Sequence, residues 1–175
     1  MIRLSILLAA ILLNQLDSQI TRLRPLELSS VPAGIAQQLE NRGCLIPVMT
    51  YGGASKPNVT RGRFATADQQ DWAVLCSQNG RSSILIIWGG KHSCSSEFNA
   101  GADENYVQGD ADKVMRFSRL INVIGPNHLR KHFQQSGQVA KFPIAHDGLV
   151  DRFEGKASTI YYCHAGKWEE LEGSD

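Results

Sequence analysis

Histidines, cysteines and one short acidic run are the residues of this 175-residue chain whose types and spacing could do chemistry. His128 and His132 stand four apart, a separation that places two imidazoles on one helix face where they can share a metal. Between them lie Leu129, Arg130 and Lys131. The glutamate that serves as base in H-E-x-x-H enzymes is therefore missing, and two cations sit beside any metal. A solvated helix face is the competing reading. Asp147 and Asp151, in the run His146-Asp147-Gly148-Leu149-Val150-Asp151, are the carboxylates that could hold a cation. Against this stands an Asp-Gly turn with two solvated carboxylates. His92 near Cys94, and Cys163 beside His164, put thiols close in sequence to imidazoles, as a thiol nucleophile and its base would need. Adjacent side chains on a strand point to opposite faces, however, so adjacency in sequence argues little. No G-x-S-x-G elbow, P-loop or Rossmann glycine set is present.

The compartment bears on the thiols. Arg3 supplies a short positive start, residues 4–13 are almost unbroken apolar, and residues 14–19 turn polar, which reads as a signal peptide over 1–18 with cleavage after Ser18. An apolar run of about ten residues is half the roughly 20 that a membrane-spanning helix needs, so no stable membrane span is expected. The four cysteines, Cys44, Cys76, Cys94 and Cys163, all follow Ser18 at spacings of 32, 18 and 69, with no C-x-x-C. An even number in an exported chain points to as many as two disulfides in one of three connectivities. An unpaired apolar cysteine in the core is the alternative for Cys76.

The elements that would position these groups centre on residues 61–88. Two runs of β-formers, 71–78 and 81–88, flank Asn79-Gly80, a dipeptide that tolerates the two positive φ angles of a type I′ turn. Both faces of that hairpin are apolar, which suits central strands covered above and below. Before it, a helix is expected to start near Pro32, with Ile35 and Leu39 on one face and Gly43 as its stop, followed by a strand over 44–50. Asn58-Val59-Thr60 is a glycosylation sequon for a host that uses such sites. Residues 59–64 form a strand entering the hairpin. Residues 89–112 are rich in Gly, Ser, Asp and Asn and read as an irregular surface loop. Residues 114–124 return to β-formers, a short helix follows over 128–135 with Gly137 as its stop, and 156–164 and 167–171 make a last hairpin about Ala165-Gly166. Strands and helices do not alternate as βαβ units would. The expected class is α+β, a mostly antiparallel β-sheet with a central hairpin at about 71–88 and one or two short helices, in a single domain over 19–175.

The sequence Gly62-x-Phe64, a six-residue interval, Asp71-Trp72-Ala73-Val74 and then Ser83-Ile84-Leu85-Ile86-Ile87 resembles an FG-GAP or VCBS-type repeat. In that family an acidic loop before the strand commonly binds calcium, because carboxylates at alternating positions surround one ion with hard oxygens. Here the matching positions carry Arg63, Ala65 and Ala67, with only Asp71 retained and Asp68 displaced by one, so calcium is not expected at this loop. The fragment around Asp147 and Asp151 matches the D-G-x-x-D part of the pattern and keeps both carboxylates, which makes it the one place where the resemblance implies Ca. The roughly 157 residues after Ser18 are too few for a closed propeller of such blades. The segments DWAVLCS and KASTIYYCHAGKW are also similar to small exported bacterial proteins, a similarity that brings no activity with it.

A formal net charge of +1 and 20% charged residues supply no field for nucleic acid. Tyr161 and Trp168 on the last hairpin, with Glu169, Glu170 and Glu172 beside them, could form an aromatic binding surface with an acidic rim. The resulting expectation is a secreted or periplasmic, non-catalytic domain that binds a protein or glycan partner at the cell surface, without a cofactor. One form of it is an inhibitor whose loop 89–112 protrudes. The alternative is a secreted metal-assisted hydrolase using Asp147, Asp151 and a histidine.

Overall fold

The computed structural model describes residues 16–91, 94–137 and 139–173. Most of the apolar leader thus lies outside the described residues, as does His92. In chain order the elements are β1 (Arg22–Leu23), α1 (Ala33–Asn41), β2 (Ile46–Met49), β3 (Lys56–Pro57), β4 (Val59–Gly62), β5 (Asp71–Gln78), β6 (Arg81–Ile87) and β7 (Glu97–Ala102). There follow β8 (Val107–Gly109), β9 (Met115–Phe117), β10 (Arg119–Ile124), α2 (Pro126–Ser136), β11 (Gly148–Phe153), β12 (Ala157–His164) and β13 (Lys167–Glu172). The chain is mostly antiparallel β-sheet with two short helices.

The central hairpin forms as its turn chemistry requires. Asn79 has φ 52° and Gly80 φ 73°, and β5 and β6 are the two inner strands of a sheet ordered β4-β5-β6-β7. Ala73, Val74, Leu75, Ile84, Leu85 and Ile86 are all buried, so neither face of the pair is wet. The segment 89–112, expected as an irregular loop, is instead largely ordered. It contributes β7, a 3-10 turn over Asp103–Tyr106 and β8. The strand β7 has the sequence EFNAGA with no apolar alternation, and it is held by pairing at the edge of β6, where Ile86 N donates to Ser96 O at 2.8 Å. Its pairing partner, not its own composition, makes it a strand.

The described chain divides into two compact units that both draw on the central hairpin. The first takes residues up to 58, 75–83 and 99–119. In it β1, β2 and β3 pair antiparallel, β8 pairs with β9, and α1 buries Ala36 and Leu39. The Cys44–Cys76 disulfide ties the chain after α1 to β5, beside paired hydrogen bonds between Leu45 and Ser77. Its interior is unusually polar. Asp103 is fully buried and accepts hydrogen bonds from Arg22 at 2.8 Å and from the hydroxyls of Ser77 and Ser82. Burial alone would lower the Arg22 pKa, but its bonds to Asp103 and Asp17 outweigh that and hold it above the ordinary value. Asn58 is fully buried too, and its amide donates to the Pro47 and Arg119 carbonyls at 3.0 Å each. The sequon is therefore a structural asparagine in the folded chain, with no room for a glycan.

The second unit takes residues 59–74, 84–98 and 120 onward. It contains the β10-β11-β12-β13 sheet and α2, which starts at Pro126 and is closed by Gly137 at φ 69°. The last hairpin turns at Ala165 and Gly166, with φ 48° and 86°. Asp147 and Gly148, expected in a turn, lead directly into β11. A Cβ on Gly148 would stand 3.2 Å from the Tyr161 carbonyl, so the dipeptide's glycine serves close strand packing.

Candidate functional site

The sheet register sorts the terminal strands into two faces. Cys163 opposes Trp168, Tyr161 opposes Glu170, and Leu149 opposes Tyr161 on one face. On the other, His164 opposes Lys167, Tyr162 opposes Glu169, Ile160 opposes Leu171, and Val150 opposes Ile160. Cys163 and His164 therefore point apart, as strand geometry demands. Cys163 is bonded to Cys94. With Cys44 joined to Cys76 no cysteine is free, and the thiol-nucleophile reading fails for want of a thiol.

The face that carries Trp168 is packed. Tyr161 is only 5% exposed and meets Phe98 edge to face at 5.0 Å, so it is a core residue, not the binding-surface residue its position on the hairpin suggested. Trp168 is half-buried, stacks on Phe98 at 4.5 Å and Trp88 at 6.1 Å, and donates its indole N–H to the Ser95 carbonyl at 2.9 Å. These rings cover one another.

The acidic residues are likewise engaged. Asp147 and Arg63 bind each other reciprocally: Arg63 N donates to Asp147 Oδ2 and Asp147 N to Arg63 O, both at 2.9 Å, and the guanidinium closes on the same carboxylate at 3.3 Å. Asp151 is buried in β11, opposite Thr159. Among the described residues no group of three or more His, Cys, Asp or Glu converges as a metal site would require. The resemblance's one surviving loop carboxylate, Asp71, is fully buried and accepts from Phe64 N, Ala65 N, Gly89 N and Gln69 Nε2 at 2.7–3.2 Å. Four N–H donors occupy the lone pairs that a calcium ion would take. A Cβ on Gly89 would fall 2.0 Å from the Gln70 carbonyl, so this arrangement needs glycine there.

The other face of the sheet is covered by α2 and the segment after it, with grooves left beside them. Leu129 and Phe133 of α2 bury against Val150, Ile160 and Tyr162, with Phe142 and Leu171 packed alongside. The Tyr162 ring stacks with His146 at 4.3 Å and Phe142 at 5.0 Å, while its hydroxyl donates to the Pro143 carbonyl and accepts from Ala145 N. Tyr162 thus pins the segment 140–146 onto the sheet. Between that segment and the last hairpin lies a groove of about 400 Å³. Its floor is Phe133, Phe142 and Leu171, with His164 stacked on Phe142 at 5.2 Å. Its rim carries both signs of charge, Lys141 and Lys167 with Glu169 and Glu170. The sequence offered Glu169 and Glu170 as the rim of a different surface, that of Tyr161 and Trp168. Phe142 and His164 were not legible as site residues, because residues 137–145 show no periodicity and contacts from Tyr162, Phe133 and Arg130 fix where that segment lies. Comparison of the chain with protein-family models, with curated proteins and with solved structures finds no match.

Proposed function

We propose that the protein is a secreted or periplasmic, non-catalytic binding domain that takes a protein or glycan partner at the cell surface. The observation that carries this reading is the groove of Phe133, Phe142, His164 and Leu171, whose apolar floor and mixed-charge rim have the composition of recognition sites. Two disulfides support an oxidising compartment. No helix among the described residues is long and apolar enough to cross a membrane. The segment that would protrude in the inhibitor variant is ordered into β7 and β8. The hydrolase alternative, which uses Asp147, Asp151 and a histidine, gains no support, with Asp147 held by Arg63.

The test is affinity capture on immobilised oxidised protein from cell-wall material and secreted proteins, in parallel with the variant His164→Ala/Lys167→Ala. A ligand retained by the parent and lost by the variant is the expected result. Retention of nothing reproducible, or equal retention by both proteins, overturns the reading. Intact mass of exported protein checks the compartment: cleavage after Ser18 with four oxidised thiols is expected, and free thiols would contradict it.

A further inference from the structure

A second groove, of about 240 Å³, runs along α2 above β11 and β12. From α2 it is lined by His128, Lys131, His132 and Gln135, positions i, i+3, i+4 and i+7, which form one stripe along two turns. From the sheet it receives Arg152 and Ser158 and a floor of Ile124, Val150 and Ile160. The lining contains no acidic side chain, and neither does α2. The partly exposed carboxylate of Glu154 stands 3.9 Å from the Arg152 guanidinium, too loose a pair to neutralise it. In a chain of net charge +1 this is a local concentration of positive charge.

We propose that this groove binds an extended acidic segment of a protein partner, its carboxylates on Lys131, Arg152 and the imidazoles and its apolar side chains on Ile124, Val150 and Ile160. This rests on the reading as a binding domain but uses residues separate from the first groove. Charge complementarity selects an anion. The aliphatic floor selects a peptide, because it lacks the aromatic ring on which a sugar's C–H face stacks. The stripe from His128 to Gln135 is about 10 Å long at 1.5 Å per residue, which matches about three residues of extended chain with alternate side chains pointing down.

His132 Nε2 donates to the Glu172 carbonyl at 2.8 Å, which fixes the orientation of its ring at the end of the groove.

The experiment uses the oxidised protein and a fluorescein-labelled octapeptide of alternating Glu and Leu, followed by anisotropy. Saturable binding is expected, weakened at least about tenfold by Lys131→Glu/Arg152→Glu and by added salt. The double variant must keep the parent's near-UV circular dichroism. Absence of binding at pH 6, equal affinity of the double variant, or equal affinity for a Lys-Leu octapeptide overturns the proposal. So does polygalacturonate that binds the groove while the peptide does not. His164→Ala/Lys167→Ala leaves peptide affinity unchanged, which separates a failure here from a failure of the first groove.

Discussion

The two units stabilise their interiors by opposite means. The first buries an ion pair: Asp103, with no exposed surface, is matched by Arg22 and two serine hydroxyls, and Arg119 lies over the Tyr106 ring at 4.5 Å. The second buries rings: Phe98, Trp168 and Trp88 stack on one sheet face, while Phe142, Tyr162 and His146 stack on the other. Each unit holds one disulfide, closing 32 residues in the first and 69 in the second. A buried charge network is intolerant, because each member left alone keeps its full desolvation cost. The accessible grooves described above lie in the ring-packed unit, and the polar interior of the first unit serves architecture.

The contrast can be broken most sharply at Asp103. Asp103→Ala leaves the Ser77 and Ser82 hydroxyls without their acceptor and Arg22 with Asp17 as its remaining carboxylate, and a loss of about 3 kcal/mol is expected in urea unfolding. If the variant unfolded with the parent's midpoint, the network would not be what holds the first unit. Tyr162→Phe is the corresponding change in the second unit. It keeps the stacked ring and removes the hydroxyl bonded to Pro143 and Ala145, so a loss of about 1–2 kcal/mol is expected by the same measurement. A loss as large as that of Asp103→Ala would show that this interior also depends on polar contacts.

The smallest effect is expected at the β8–β9 hairpin. The Arg116 guanidinium hydrogen-bonded to Asp112 holds that carboxyl at a pKa of about 2, helped by the Val114 N–H. Because the folded value lies below the unfolded value of about 3.9, this contribution is fully present above that range. It is lost as pH falls toward 2. Asp112→Asn should flatten that part of the stability curve and leave the neutral-pH melting temperature nearly unchanged, since the pair is at the surface.

Much of the fold was legible because its signals are local. Asn79-Gly80 and Ala165-Gly166 both occupy positive φ, a property of two residues and their backbone, and both hairpins follow from it. Pro126 and Gly137 bound α2 for equally local reasons. What was misread depends on partners distant in the chain. The polar strand β7 is recruited by β6, Asn58 is claimed by carbonyls from two other segments, and Asp147 is claimed by Arg63, 84 residues away. Each involves a group whose own chemistry permits several fates, and only proximity selects among them.

The sequence by itself determined the class, the central hairpin, the second helix and the last turn, because backbone conformation there is set by neighbouring residues. It also determined that cystine was possible. Tertiary structure alone decided which cysteines pair, which aromatic rings are buried, and that His128 and His132 share a groove with Arg152. Those outcomes depend on which strand faces are covered, and coverage is a property of the packed chain.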